Sequence, residues 1–505
     1  MNQRPFIRKI VYLAILVGLL VPLSLLSMPA RQATPGEAGS PGGVLAQLRD
    51  EHKLGQANLG QIDPTSETIK LATLGMRNIA ATILWRQANR YKMREDWTAF
   101  SATAEQIIKV QPNFPTVWQF QGWNLSYNIS AEFDDYRDRY FWVMKGIRFL
   151  QDGIVYNEAS PRLIQYLGWV LSQKIGTADE KVQYRRLFRE DNDFHGTRPL
   201  DQRDNWLVGR QYYLDAVGVA ERENMLERLN PLVFLFHAPK NRISYAIGLE
   251  EDGVFEEKAA VAWNIAHRDW LEFGGLEIHP VPEVTVRLND RDQAKRRLAE
   301  LTEQLEALPP AGRRETIYQE KLAKLSKADR EAIERPAAER NEEEQQRVAA
   351  AQDKLQVTFL ELAENVAPEE RTQAQKLAEQ LTEAQRNLGQ IEQGCEVTNY
   401  PYWLARCELE RQPETLEARR IVHDADQAFR VDQDLLAAQK LYQQGFAKWD
   451  EVLNRYPNMR RDDLFSEDLL AFINRYRTLL KRLDEPFPDK FPLQDILDAH
   501  RGRQP

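Results

Sequence analysis

The segments WQFQGWNL (residues 118–125) and IQYLGWVL (residues 164–171) indicate how this chain folds. Aligned on Gly122 and Gly168, each has a large apolar residue four positions before the glycine and a tryptophan directly after it. Apolar residues at this spacing share one face of a helix, and a small residue in that face lets a second helix approach closely. Sustained alternation of apolar and polar residues is missing from the sequence, so we expect few strands and an all-α protein.

Two further segments have the pattern of a second, partner helix. In GIRFLQDGIVYNE (residues 146–158) and GFAKWDEVLNRYP (residues 445–457), a small residue is followed four positions on by a large apolar one. A small or aliphatic residue then follows three positions later, and a turn comes next. A single helix pair cannot bury its apolar face, so we expect neighbouring pairs to stack.

This pattern resembles the tetratricopeptide repeat, a helix pair of about 34 residues with a W-x2-L-G-x2-Y opening and a proline-marked exit. WRQANRYK begins 33 residues before Trp118, although Asn89 stands at its glycine position, and 46 residues separate the second and third units. The match is therefore partial and degenerate. It implies a tetratricopeptide-like domain over residues 67–230 and one repeat-like unit in a C-terminal helical domain, residues 395–505. The whole chain is similar to bacterial membrane-anchored helical proteins.

The resemblance also implies a partner-binding face. In tetratricopeptide folds, first-helix residues that follow the tryptophan and glycine positions line the inner surface, where peptides bind. Carried over to this sequence, those positions are Arg86, Arg90, Gln119, Trp123, Gln165 and Trp169. Two tryptophans with a basic end suit an extended peptide, especially one with an acidic group or a C-terminal carboxylate. The alternative is that both tryptophans are core residues.

One segment indicates where the protein resides. Residues 10–30 form an uncharged apolar run that approaches the thickness of a bilayer core, and Arg4, Arg8 and Lys9 precede it. The positive-inside rule predicts a transmembrane helix with residues 1–9 in the cytoplasm and the bulk of the chain in the periplasm. A cleaved signal peptide is the alternative, and it gives the bulk the same location. Residues 31–66 have the composition of a linker.

Residues 282–394 differ in composition, with many charges and few aromatics. Leu298, Leu301, Leu305 and Leu308 follow heptad spacing, and so does a second series from Ala374 to Ile391. Prolines at 309–310, 336 and 368 interrupt these seams. We predict a charged coiled-coil helical hairpin inserted into the chain after a helical connector, residues 231–281. Dimerisation through the same seams is the alternative.

Composition and motifs argue against catalysis and nucleic-acid binding. The 505 residues have a net charge of −9, which disfavours a phosphate-binding surface. Seven scattered histidines form no H-E-x-x-H motif, and Walker, G-x-S-x-G and G-x-G-x-x-G motifs do not occur. We predict that the protein is not an enzyme and needs no cofactor or metal.

Three smaller features leave alternatives open. The segment 191–196, DNDFHG, has oxygen ligands at calcium-loop positions but lacks the closing glutamate, so it is either a weak calcium loop or a polar helix cap. The acidic cluster of residues 132–138 is either a solvated helix face or, far less favoured, a pair of catalytic carboxylates. Cys395 and Cys407 are either a disulfide or two core thiols.

The resulting functional hypothesis is a membrane-anchored, extracytoplasmic helical-repeat scaffold that binds a protein or peptide. The first alternative is a structural or assembly subunit of a membrane complex that acts through the coiled-coil arm, as a homo- or hetero-oligomer. A metal-dependent enzyme is the least favoured interpretation.

Overall fold

A computed structural model describes residues 77–281 and 284–500, with isolated positions before residue 48. These residues are mostly helical, as predicted for an all-α chain. Within the described residues, strands are confined to one antiparallel hairpin that pairs Ile278 with Val286 and Val281 with Val284.

The helices and strands of the described residues are numbered in chain order. They are α1 (Arg77–Lys92), α2 (Trp97–Val110), α3 (Pro115–Trp123), α4 (Tyr136–Tyr156), α5 (Pro161–Val170), α6 (Lys181–Glu190), α7 (Asn192–His195), α8 (Asn205–Arg222), α9 (Pro231–Leu235), α10 (His237–Glu251), α11 (Glu257–Gly275), β1 (Ile278–Val281), β2 (Val284–Val286), α12 (Arg291–Glu306), α13 (Arg313–Lys324), α14 (Lys327–Glu334), α15 (Glu342–Leu355), α16 (Phe359–Glu364), α17 (Arg371–Thr398), α18 (Tyr400–Glu410), α19 (Pro413–Gln427), α20 (Leu435–Arg455), α21 (Pro457–Arg460), α22 (Asp463–Arg482) and α23 (Gln494–Ala499). The π-helical segments Asn124–Ile129, Leu171–Ile175 and Ala428–Asp432 extend α3, α5 and α19.

Aspartate and proline set where many of these helices begin. The Asp96 carboxylate accepts a hydrogen bond of 3.0 Å from the Ala99 amide, and Asp434 caps α20 in the same way. Proline occupies the first turn of α3, α5 and α19, where its missing amide hydrogen costs nothing. These residues fix where each helix begins, and the start of a helix determines which apolar side chains lie on its buried face.

The chain divides into two compact units. The first comprises residues 1–229, 237–266 and 410–505, and the second comprises residues 230–236 and 267–409. Residues 410–505 thus belong with the N-terminal helices although more than a hundred residues of the second unit come between them in sequence.

In the first unit, neighbouring helices pack as pairs and rows. The α1 helix packs on α2, α3 on α4, and α19 on α20, while α5 packs on α8 and α8 on α10. The glycine pattern of the sequence accounts for the closeness of one pair, since a Cβ at Gly153 of α4 would lie 2.7 Å from the Trp118 ring. The Trp118 indole nitrogen donates to the Pro112 carbonyl at 2.7 Å, which fixes the ring in the gap between α3 and α4.

In the second unit, α12 packs antiparallel on α17, since Lys295 near the start of α12 pairs with Glu392 near the end of α17. The heptad residues Leu301, Leu305 and Leu381 are buried in one apolar cluster of these helices. The helices end before each proline that interrupts the seams. Cys395 and Cys407 are buried thiols in the same unit.

No helix of the described residues is both long and apolar enough to cross a membrane. The predicted span, residues 10–30, lies outside the described residues except for Gly18, Pro22 and Leu26, and so does nearly all of the predicted linker.

Candidate functional site

The candidate site lies in the first unit, where α3 and α5 pass into π-helix. A π-helical turn contains an additional residue, so it shifts the following side chains around the helix axis. The segment after α3 contains Tyr127, and the segment after α5 contains Lys174. Segments of this kind are rare and frequently occur at functional sites, which makes the residues around these two side chains candidates for binding.

Five aromatic side chains form a continuous row on α3, α5 and the π-helical segment after α3. We call Phe120, Trp123, Tyr127, Tyr166 and Trp169 the aromatic row. Ring centroids lie 5.6 Å apart between Phe120 and Trp123, 6.1 Å between Trp123 and Tyr127, 5.9 Å between Tyr127 and Trp169, and 5.5 Å between Trp169 and Tyr166. The last three pairs are stacked, with interplanar angles of 20° to 23°.

The aromatic row is neither fully buried nor fully exposed. All five side chains are half-buried. Tyr166 and Trp169 pack against the apolar cluster around α4 and α5, and Phe120 packs against the cluster around α1 and α2. Trp123 and Tyr127 belong to neither cluster, so these are the two rings of the row that core packing explains least.

Two lysines lie over rings of the row. The Lys174 ammonium is 4.8 Å from the Tyr127 centroid, and the Lys92 ammonium is 4.4 Å from the Phe120 centroid. Both distances are typical of cation–π contacts. The row therefore combines apolar faces with positive charge at two points.

Burial changes the ionisation of the groups in the row. It raises the pKa of Tyr127 to about 12, so this hydroxyl stays neutral in any ordinary buffer and can donate a hydrogen bond. Burial also lowers the pKa of Lys174, while the nearby Glu180 carboxylate acts in the opposite direction. Glu180 itself pairs with Arg139.

The structure places the residues predicted to bind a partner in two groups. Trp123 and Trp169 lie on either side of Tyr127 in the aromatic row. Gln119 donates a long hydrogen bond of 3.4 Å to the Arg162 carbonyl, which joins α3 to the start of α5. Gln165 is half-buried on α5 beside Tyr166.

Arg86 and Arg90 form the second group, on α1, where both are exposed. The basic residue of α1 that contacts the row is Lys92, two positions beyond Arg90. The sequence analysis predicted that Arg86 and Arg90 form the positive end of the binding face, but the side chain that contacts a ring there is Lys92.

Sequence reasoning missed Tyr127 and Lys174, for reasons that differ. Tyr127 follows Trp123 by four positions, which is ordinary helical spacing, so the signal was available. Lys174 follows Trp169 by five positions. In a regular α-helix these two side chains would point in different directions, and only the wider turn of the π-helix places them on the same side of the helix.

The DNDFHG segment forms part of a helix–turn connection. The Asp191 carboxylate accepts a hydrogen bond of 2.9 Å from the Phe194 amide, and Arg203 donates to the Asn192 side chain at 2.7 Å. His195 is buried with its Nε2 atom 2.7 Å from the Phe188 carbonyl. These contacts use Asp191, Asn192 and His195 in the local structure of the connection, and the described residues contain no cluster of three or more His, Cys, Asp or Glu placed to hold a metal ion.

The acidic cluster before α4 also has local partners. The Asp135 carboxylate accepts a hydrogen bond of 2.7 Å from the Arg137 amide and caps α4. Glu132, Asp134 and Asp138 are exposed. This arrangement is that of a solvated helix start.

Comparison of the chain with known protein families, with curated proteins and with solved structures finds no match. The aromatic row and its lysines are therefore the features of the molecule that best indicate its function.

Proposed function

We propose that this protein is a membrane-anchored, extracytoplasmic scaffold of tetratricopeptide-like helix pairs that binds a protein or peptide along the aromatic row. The observation that supports it most is the row itself, five half-buried rings in contact with one another and with two lysines. Aromatic rings of this kind are the side chains that contribute most to binding energy at protein interfaces.

A row of neighbouring rings suits an extended chain. Successive side chains of an extended peptide point to opposite sides, so every second residue meets the same surface. Ring faces would receive apolar side chains, and half-buried carboxamides such as Gln165 can bond the peptide backbone.

The test is selection of peptides from a random display library on the full chain in detergent micelles. Peptides selected by the wild type should lose at least tenfold in affinity for Trp123→Ala, because a ring from the interior of the row is removed. Trp142→Ala is the matched control, since Trp142 is half-buried on α4 and stacks on Phe133 at 5.8 Å, outside the row.

Equal affinity of the selected peptides for Trp123→Ala and the wild type contradicts the proposal. A circular dichroism spectrum and an unfolding midpoint shared by both variants and the wild type would show that the fold is intact.

The location is a separate part of the proposal and rests on the apolar run of residues 10–30 and the three positive charges before it. A topology reporter fused after Pro505 should be active only outside the cytoplasm. Activity of the reporter only in the cytoplasm would overturn this location.

A second candidate function is assembly through the arm formed by α12 and α17. Leu298, Ala299, Ala307 and Leu388 line a shallow, largely apolar recess on these two helices, which a helix of another subunit can fill. Deletion of residues 291–391 should abolish complex formation if the arm mediates assembly. Retention of the complex after this deletion, with its loss in Trp123→Ala, would favour the aromatic row instead.

A further inference from the structure

The charge at the middle of the aromatic row indicates what kind of residue the ligand brings there. Lys174 lies over Tyr127, and Tyr127 lies between Trp123 and Trp169. Rings are therefore available on both sides of the ammonium, with Phe120 and Trp123 on one side and Trp169 and Tyr166 on the other.

Lys174 has no carboxylate partner at hydrogen-bonding distance among the described residues. Its direct contact is the face of the Tyr127 ring. Two carboxylates act on it electrostatically, Glu180 and Asp179, and Glu180 is paired with Arg139 from α4. An ammonium that is half-buried against aromatic rings and lacks a paired anion attracts a carboxylate more strongly than one in open water, because the local dielectric constant is lower.

We propose that Lys174 selects an acidic side chain in the interior of an extended peptide, with aromatic or aliphatic residues on both sides of it that cover the rings of the row. This inference rests on the proposed function of the row and adds the ligand's chemistry. An interior acidic residue fits better than a C-terminal carboxylate because a chain that ended at Lys174 would leave the rings on one side of it uncovered. The second lysine, Lys92 at the Phe120 end, adds positive charge to the same surface.

The probe is an amidated peptide with phenylalanine at alternate positions and a single glutamate in the same register between two phenylalanine pairs. Two companions are made, one with glutamine in place of glutamate and one that stops at the glutamate with a free C-terminal carboxylate. Binding of each labelled peptide to the full chain in detergent micelles is measured by fluorescence anisotropy.

The wild type should bind the glutamate peptide about tenfold more tightly than the glutamine peptide. Lys174→Met should lower the affinity for the glutamate peptide to that for the glutamine peptide, and Lys174→Arg should keep most of the preference. Lys145→Met is the matched control, because Lys145 lies 4.4 Å from the Trp142 ring in the same kind of contact but outside the row. This variant should bind all three peptides as the wild type does.

Equal affinity of the wild type for the glutamate and glutamine peptides would overturn the proposal, and so would a preference that survives in Lys174→Met. Binding of the shortened peptide as tightly as the full one would assign the site to a C-terminal carboxylate and overturn the interior position.

The Trp123→Ala variant distinguishes failure of this inference from failure of the proposed function. If glutamate and glutamine peptides bind equally but both weaken in Trp123→Ala, the row binds peptides and only the role of Lys174 is wrong. If neither peptide binds the wild type, or if both bind Trp123→Ala unchanged, both proposals are wrong.

Discussion

The two units of this protein place their charges differently. In the first unit, two arginines that join separate helices are buried, with the Arg185 side chain 2% exposed and the Arg419 side chain 8% exposed. In the second unit, the ion pairs of the arm are open to solvent, and Lys295 and Glu392 are 42% and 46% exposed. Charge pairs are strong determinants of stability only where water is excluded, so the first unit should be the more sensitive to substitution.

The first unit also differs in packing from the arm formed by α12 and α17. Large aromatic residues and close glycine contacts fill the first unit, as at Gly122, where a Cβ would lie 2.5 Å from the Leu150 Cγ atom. Leucine and alanine fill the seam of the arm, and Gly389 of α17 has no neighbouring atom within 4 Å of the place where a Cβ would stand. Both contrasts, in charge and in packing, can be tested by substitution.

The largest effect is expected at Arg419, which lies over the Trp449 ring at 4.9 Å and pairs with Glu410. Glu410 is 0% exposed, so Arg419→Met removes a cation from beside a carboxylate that water cannot reach. The free energy of unfolding should fall by about 3–5 kcal/mol. Urea denaturation followed by circular dichroism measures it.

The neighbouring Arg420→Met is the control, since the Arg420 side chain is 53% exposed and should change stability by less than about 0.5 kcal/mol. A similar loss in both variants would contradict the distinction between buried and open charges.

The next effect concerns pH. Burial lowers the pKa of His237 to about 4, and its ring stacks on Tyr213 at 4.8 Å. In the unfolded chain, a histidine has a pKa near 6.5 and binds a proton that the folded state excludes. The contribution of neutral His237 to the free energy of unfolding is therefore fully present above about pH 6.5 and declines towards pH 4. We expect a loss of up to about 3 kcal/mol over this interval.

Denaturation at a series of pH values should show this decline in the wild type and a smaller one in His237→Phe. The exposed His279 of β1 serves as control, and His279→Phe should leave the wild-type profile unchanged. A profile of His237→Phe identical to that of the wild type would show that His237 does not contribute.

A third prediction applies one substitution to both units. Gly122→Ala should cost about 1–3 kcal/mol, because the new methyl group meets Leu150. Gly389→Ala should stabilise the protein by about 0.5–1 kcal/mol, because alanine has a higher helix propensity than glycine and no neighbouring atom lies within 4 Å of the new methyl group. Thermal unfolding distinguishes the two signs, and a shift of the same sign in both variants would refute the contrast in packing.

The smallest effect is expected for the pair that links α12 and α17, where the Lys295 ammonium lies 3.0 Å from a Glu392 oxygen. Lys295→Ala should lower the free energy of unfolding by less than about 0.5 kcal/mol, and this loss should disappear in about 1 M salt. A larger, salt-independent loss would mean that the arm depends on its surface charges.

The features that sequence predicted well are those that depend on neighbours along the chain. The heptad positions Leu301, Leu305 and Leu381 lie in one cluster, and the helices of the arm end before its prolines. The repeat pattern requires a small residue at Gly153, and this glycine lies against Trp118. In each case, helix periodicity alone brings the relevant residues to one face.

The features that sequence could not predict depend on distant segments. The Arg419 Nε atom lies 3.6 Å from the Glu250 Oε2 atom, although most of the second unit separates these residues in sequence. A pattern of neighbouring residues therefore cannot predict this pair. Lys174 reaches Tyr127 because two separate helices change to π-helix at matching places. The repeat pattern was sufficient to identify Trp123 and Trp169, whereas the two lysines over the row, Lys92 and Lys174, could be found only from the packed helices.

Photocrosslinking in intact membranes can show whether the aromatic row binds a partner. A photoreactive phenylalanine analogue is placed at position 165, beside the row, and in a second sample at position 155 of α4, where Val155 is 68% exposed. After irradiation, we expect a discrete adduct from position 165 that disappears in Trp123→Ala and is missing from position 155. The same adduct from both positions, or an adduct from position 165 that persists in Trp123→Ala, would contradict partner binding by the row.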